Sequence, residues 1–382
     1  MMTGEIFHQE IESSIKNNQN YIELLSKMFP GIKIRQFAAA SFDDLYDHYL
    51  EVGFIHKKKM ERIEPYLDLI RQNWNAALKE REVFWTTMYE DSVSKKIGSL
   101  STWRSTNKGW LSQHLTSQGF PVGVCAMLLT NQAVGIKNNF NSAQCLYSPE
   151  NRFAQKIYGK VVNTIGKNFA NALNFDFLNV IPSSFPNISK GCLVRQFQSN
   201  DSKELYELVK MQRGKIYADA EGLNQADIEL IELNRIFQSK GLSRKRFVWL
   251  AYLPNYKKPV GAVLAYRGPL GLNFSFFENK CDLLIDYLLK PEERKAVIIE
   301  LLKSASQAYF DTRLHPGMEY PLNYIPLFAT ETDAKILYTL GAQLYRKYTQ
   351  TIWLKEGFIA WGQHIERVFS MALLRLRKQR NK

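Results

Sequence analysis

The sequence predicts an α/β protein, an α+β mixed sheet built as two tandem copies of one unit and followed by a C-terminal helix. Three observations predict it: the length, an internal repeat, and an order of strand and helix signals that recurs in each half. At 382 residues the chain exceeds the ~100–200 residues of an ordinary domain and suits two. The repeat pairs Ile34-Arg35-Gln36-Phe37 with Val194-Arg195-Gln196-Phe197, and each Phe is followed by a Leu-Tyr pair, Leu45-Tyr46 and Leu205-Tyr206. Val83-Phe84-Trp85 answers to Phe247-Val248-Trp249. Lys95-Lys96, Gly98 and Trp103-Arg104 answer to Lys257-Lys258, Gly261 and Tyr266-Arg267. The order is kept throughout, which marks a duplication.

Each element has its counterpart. A short strand (Ile32–Phe37; Leu193–Phe197) leads into helical segments whose second member is amphipathic (Met60–Lys79; Gln225–Gln238). Aromatic and β-branched runs then predict strands at Val83–Tyr89, Lys96–Arg104 and Trp110–Thr116, matched by Phe247–Leu253, Val260–Tyr266 and Leu283–Leu288. A helix (Val122–Val134; Glu292–Tyr309), a strand (Ala143–Tyr147; Tyr324–Phe328), a helix (Glu150–Val162; Thr332–Leu340) and a last strand (Phe175–Ile181; Thr349–Leu354) are expected to close each unit. The division expected is a helical lead over 1–30, units at 31–185 and 190–355, and a basic helix over 356–382. The joint falls in the Ser/Pro/Asn-rich stretch Ser183–Lys190. That last helix carries Phe358, Trp361, Ile365 and Phe369 on one face, and packing on the second copy is expected.

Bulk composition narrows the class. Hydrophobic residues make up 45%, which excludes a disordered chain. No run approaches the ~18 apolar residues of a membrane span. Four widely spaced cysteines with no CxxC argue against a metal centre or disulfide framework and for a reducing, cytoplasmic setting. The net charge of +13 calls for an anionic partner, whether a phosphorylated ligand or RNA.

Two local patterns resemble the acetyl-coenzyme-A-dependent acyltransferase (GNAT) family. Gln118-Gly119-Phe120-Pro121-Val122-Gly123 follows one strand and opens a helix, similar to that family's Gln/Arg-x-x-Gly-x-Gly/Ala loop, with Pro121 in place of the first Gly. Small residues there let backbone N–H groups approach a pyrophosphate at a helix head. Asn151-Arg152-Phe153-Ala154-Gln155-Lys156-Ile157-Tyr158 resembles the family's Asn-x-x-Ala-x-x-x-Tyr. The second copy has Ala334 to Tyr338 and no such loop: Lys290-Pro291-Glu292-Glu293 would turn carboxylates toward phosphate.

The resemblance implies acetyl-CoA or another acyl-CoA as cofactor, bound in the first copy by Leu115, Thr116, Ser117, Gln118, Gly119, Val122, Gly123 and Asn151, with no metal. It implies Tyr158 as the acid that protonates the leaving thiolate. It also implies a backbone N–H near Leu115–Ser117 that meets the thioester carbonyl. Glu90 and His114 are the candidate bases that deprotonate the amine. Trp103, Arg104 and Trp110 are candidate acceptor contacts, because polar residues and tryptophans crowd the stretch from Ser99 to Gln118. The expected acceptor is a small-molecule or peptide amine. Two alternatives stand beside this reading: a non-catalytic GNAT-derived ligand-binding or scaffold protein, and aminoacyl transfer from tRNA as in FemX-like proteins.

Overall fold

Twelve strands form one sheet, in the order β1-β2-β3-β4-β5-β12-β6-β11-β10-β9-β8-β7. The computed structural model describes residues 31–36, 41–138, 140–186, 191–310 and 322–380; the helical lead expected over 1–30, Phe37 and the end of the expected joint lie outside the described residues. In the first half, β1 (Ile32–Gln36) precedes α1 (Phe42–Glu51), α2 (Lys57–Ile63) and α3 (Leu67–Ala77). There follow β2 (Phe84–Asp91), β3 (Ile97–Arg104), β4 (Gly109–Ser117), α4 (Pro121–Lys137) and β5 (Ser142–Tyr147). The short helices α5 (Arg152–Ala154) and α6 (Val162–Ile165) lead to β6 (Ala170–Val180). The second half runs β7 (Leu193–Gln196), α7 (Ser202–Arg213), α8 (Lys215–Ala220) and α9 (Ile231–Gln238). Next come β8 (Lys245–Tyr252), β9 (Gly261–Arg267), β10 (Cys281–Ile285), α10 (Pro291–Ala305) and α11 (Gln307–Phe310). It ends on β11 (Ile325–Ala329), α12 (Glu331–Thr339), β12 (Gln343–Leu354) and the long α13 (Lys355–Arg380).

Local chemistry explains the boundaries. Ser41 and Asp44 form a reciprocal capping box at the head of α1. Thr330 accepts the Asp333 N–H at the head of α12. Pro121 and Pro291 open α4 and α10, where a missing N–H costs nothing. The single helix expected over Met60–Lys79 is instead two, because Glu64-Pro65-Tyr66 forms a 3₁₀ turn between them; Pro65 has no N–H to continue the α ladder.

The parallel pairs β4–β5 and β10–β11 occupy equivalent places in the two halves, and the other neighbours are antiparallel. The last strands do not close their own units as expected. β12 pairs with β5, β6 pairs with β11, and β6 and β12 pair with each other from Gln343↔Asn179 to Trp353↔Ala170. Each half therefore receives the final strand of the other. The exchange satisfies the backbone of both strands on both sides.

Helix α4 is buried from Val122 to Gly135 because it lies between the sheet and α13. The expectation that α13 packs on the second copy is corrected here. Phe358, Trp361, Ile365 and Phe369 share a core with α4 residues and with Tyr158. The indole of Trp361 donates to Ile157 O at 2.7 Å, and Gln132 Nε2 donates to Phe358 O at 2.5 Å. A buried Gln at that point selects this one docking register, since an unmet amide costs about 1–3 kcal/mol.

Candidate functional site

Strands β4 and β5 pair in parallel over only four positions, Gly109↔Ser142 to Ser112↔Cys145, and then part. A cavity of about 420 Å³ opens where they separate. Ser112 to Leu115 of β4 and Cys145 to Ser148 at the end of β5 form two walls, and Glu150, Asn151, Ala154 and Tyr158 form a third. Gly53, Phe54, His56 and Lys59 close it from the α1–α2 connection. The rest comes from the second half: Asn273, Ser275 and Phe277 from the loop between β9 and β10, and Arg346 and Tyr348 from β12.

At this parting β4 carries a bulge. Ser99 faces Thr116 and Ser101 faces Gln113, so Leu100 stands opposite both His114 and Leu115. His114 takes the left-handed conformation, φ 56°; for a non-glycine residue this costs on the order of 1–3 kcal/mol and clusters at functional sites. No β5 residue pairs with β4 past Ser112. The β5-facing backbone of Gln113 to Leu115 thus borders the cavity instead of completing a ladder.

The structure changes the role read for His114. Its ring packs against both Trp74 (centroids 5.6 Å apart, 8° between planes) and Phe274 (4.6 Å, 17°), which also touch each other at 5.5 Å. Its Nε2 accepts the Phe274 backbone N–H at 3.3 Å. That bond assigns the neutral tautomer with its proton on Nδ1, which has no partner among the described residues. Burial, and then the charge of Lys59, holds the ring well below the usual histidine range. This arrangement commits the Nε2 lone pair and leaves the Nδ1–H of His114 as the group it can offer.

Tyr158 lines the cavity, stacked on Trp361 at 5.9 Å and 12°. It sits in a π turn, Gln155–Gly159, a local widening of the helix that is frequent at functional sites. Burial pushes its phenol well above the ordinary tyrosine value, which keeps the proton on. Asn151 caps this segment by accepting the Ala154 N–H at 3.0 Å; it borders the cavity but its carbonyl oxygen is committed.

The expected phosphate loop lies at the head of α4. Gly119, at φ 85°, has open space where a Cβ would stand. Ser117 Oγ meets the Tyr89 hydroxyl at 2.6 Å and accepts the Gly119 and Phe120 N–H groups at 3.1 and 3.4 Å, so two donors turn inward. The Gln118 carbonyl accepts the Ile97 N–H and its amide donates to Glu51. Thr116 Oγ1 meets His48 Nε2 at 2.8 Å. Val122 is buried, and a Cβ on Gly123 would stand 2.5 Å from the Tyr89 ring. Gly123 is small so that α4 can lie on Tyr89, which is a packing role.

Four more sequence candidates stand away from the cavity, as the loop residues do. Glu90, at the outer end of β2, has its carboxylate 4.0 Å from Lys95 Nζ. Trp103 is buried and donates to Gln113. Arg104 bonds Asn107 O, and Trp110 packs on Trp85 at 4.3 Å. Burial among apolar neighbours explains these tryptophans better than ligand contact.

Residues without a motif complete the site. Lys59 is 8% exposed, and burial followed by the charge of Arg346 pushes its amine down to about 7. Glu150 is the one carboxylate among the described residues that line the cavity. Lys59 stood in a visible basic cluster, Lys57–Lys59, but nothing in the sequence placed it beside Arg346. Among the described residues there is no cluster of metal-ligating side chains, and no helix is long and apolar enough to cross a membrane.

No family model and no curated protein matches the chain. Solved structures do. A tandem GNAT protein from the clavulanic acid biosynthesis pathway, solved without acetyl-CoA, aligns at 9% identity and TM-score 0.39, over 85% of this chain and 99% of its own. A GCN5-related N-acetyltransferase from Sphaerobacter thermophilus aligns at 9% and 0.38, over 71% and 80%. Another from Anabaena variabilis aligns at 11% and 0.30, over 84% and 72%. At such identities these are likenesses only. The chain is similar to tandem GNAT proteins, with a mixed α/β fold.

Proposed function

We propose that the chain is an acyl-CoA-dependent N-acyltransferase that works in its first half. The observation that carries this reading is the cavity at the parting of β4 and β5, with the left-handed bulge of His114 on one wall and the phenol of Tyr158 on another. Coenzyme A, when bound, would supply an acyl thioester. The head of α4 suits its phosphates in part: Gly119 is open and the helix has 17 residues of aligned dipole, while Ser117 withdraws two of the loop donors.

The remaining roles follow from position. The backbone of Gln113 to Leu115 borders the place where a carbonyl oxygen would gain charge, which favours its transition state. The Nδ1–H of His114 adds a buried donor on the same wall. Glu150 is the carboxylate placed to take the ammonium proton, in place of Glu90 and His114. Tyr158, held protonated by burial, gives its proton to the departing thiolate.

The test is a calorimetric titration with acetyl-CoA and longer acyl-CoAs on the wild type, Gly119→Asp and Gly119→Asn. Both replacements tolerate the left-handed backbone, and only Asp adds a charge facing phosphate. Binding by the wild type and the Asn variant, lost in the Asp variant, is expected. No binding to any acyl-CoA would reject the reading. The Gly119 and Phe120 N–H groups turned in to Ser117 Oγ, and the proline at position 121, favour, in that event, a ligand-binding protein of the same fold.

A further inference from the structure

Two cations of the cavity have no counter-ion. Lys59 Nζ makes one hydrogen bond, to Phe54 O at 3.1 Å, and lies 3.2 Å from the centre of the Phe54 ring. Arg346 reaches the same cavity from β12, at the irregularity between Leu344 and Arg346. Among the described residues no carboxylate pairs with either. They crowd each other: Arg346 is the charge that lowers the Lys59 amine after burial does, and His56 is lowered by burial and then by Lys59, Arg346 and Lys58. Lys58 itself is committed, its Nζ 2.6 Å from Tyr345 O.

A buried ammonium without a counter-ion is destabilising, and this chain places one on the wall of a cavity. The loop at 118–123 lines no part of that cavity, so the cation pair is separate from the head of α4 that would take the donor's phosphates. One guanidinium edge and one ammonium match a planar, two-oxygen anion; a polyphosphate would call for more cations than these.

Resting on the acyltransferase reading for the identity of the reacting amine, we propose that the acceptor carries a carboxylate, and that Arg346 and Lys59 hold it. The substrate class is then an amino acid or short peptide with a free acid group, and the second half of the chain contributes a specificity residue to a site in the first. The carboxylate supplies the counter-ion that Lys59 lacks. Binding therefore returns a proton to that amine above neutral pH; the other titratable or cationic groups lining the cavity are His56, His114, Cys145, Tyr147, Glu150, Tyr158, Arg346 and Tyr348.

The experiment needs no acyl-CoA. A library of dipeptides with free C-termini and the same library as C-terminal amides are titrated into the wild type, Arg346→Gln and Lys59→Met at pH 8. Arg346 is exposed, so its replacement leaves the fold intact, as circular dichroism checks. Free acids are expected to bind the wild type, at least tenfold more weakly to Arg346→Gln, and their amides not at all. Calorimetry in buffers of different ionisation enthalpy should read uptake of protons in the wild type and none in Lys59→Met. Amides that bind as well as acids, acids that bind Arg346→Gln unchanged, no uptake, or no binding would each overturn the proposal. Inorganic phosphate that binds in place of the acids would overturn it in favour of a phosphorylated acceptor. Acetyl-CoA binding is measured on the same preparation: if it binds and no acid does, the carboxylate site fails and the transferase reading stands, and the converse holds.

Discussion

The two parallel strand pairs started from one design and have been put to different uses. In the first half β4 and β5 part after Ser112, β4 bulges at His114, and a cavity follows. In the second half β10 and β11 also part, after Asp282, but β10 pairs with β9 without a break from Cys281 to Ile285, has no left-handed residue, and is buried throughout. Polar groups at its head satisfy one another: Lys280 Nζ lies 3.1 Å from Glu221 and 2.8 Å from Asp282, and the Tyr217 hydroxyl donates to Asp282 at 2.7 Å. The head of α10 is closed by Glu293, which accepts the Lys290 N–H, and by Arg294, paired to Asp333 at 2.8 Å. The connections differ as well. A short turn joins β3 to β4, whereas the long β9–β10 loop crosses to the first half, where Phe274 stacks on His114 and the Asn273 amide donates to Gln113. After duplication one copy kept an opening, and the other filled its own and lent a wall.

Four experiments break or sharpen that contrast. The largest effect is expected from Lys280→Met, which leaves the buried Asp282 without its ion-pair partner and Glu221 with Arg246 alone, 3.9 Å away; a loss of about 3–5 kcal/mol should appear in urea unfolding. A smaller loss there would mean that water reaches the second half's equivalent position. Second, Tyr158→Phe should lower turnover about a hundredfold with little change in acyl-CoA affinity. Its counterpart Tyr338→Phe, whose hydroxyl bonds Asp176 at 2.7 Å, should leave turnover alone. Equal loss in both would show that the halves do not differ in chemistry. Third, Gly123→Ala should cost about 1–3 kcal/mol through overlap with the Tyr89 ring. A Tyr89→Ala background should cancel most of it, which distinguishes packing from ligand contact.

The smallest effect concerns α13, which only the first half carries. Glu366, on its buried face, is pushed up to about 8 by burial, and its Oε1 has no hydrogen-bond partner among the described residues. The raised value sets the sign: the protonated form favours folding, so this contribution is complete below the ordinary glutamate range and is lost as pH rises through about 8. Thermal melts from pH 5 to pH 9 should show stability falling across that window. Glu366→Gln should flatten the slope; an unchanged slope would assign it to other groups.

Much of the sheet was legible from the sequence because aromatic and β-branched runs survive in both copies. The strand exchange was not. β6 and β12 carry the same kind of pattern, and no alternation states which sheet a strand will join. The break at Pro65 was written in the chain and outweighed by the apolar periodicity around it. For the site, Tyr158 and Leu115 lay in recognisable settings. Arg346, Asn273 and Ser275 did not, since each acts across more than a hundred residues with no motif of its own. His114 was visible as a residue but not as a donor, because its tautomer depends on a backbone amide of the other half.

The exchanged final strands also set a timetable. During synthesis from the N-terminus, β5 emerges long before the strand that covers its edge, and β12 is almost the last segment of the sheet to leave the ribosome. An uncovered strand edge is a template for pairing with other chains. The first half therefore waits, open along one side, until translation of the second is nearly done, and any stall between them leaves a product prone to aggregate.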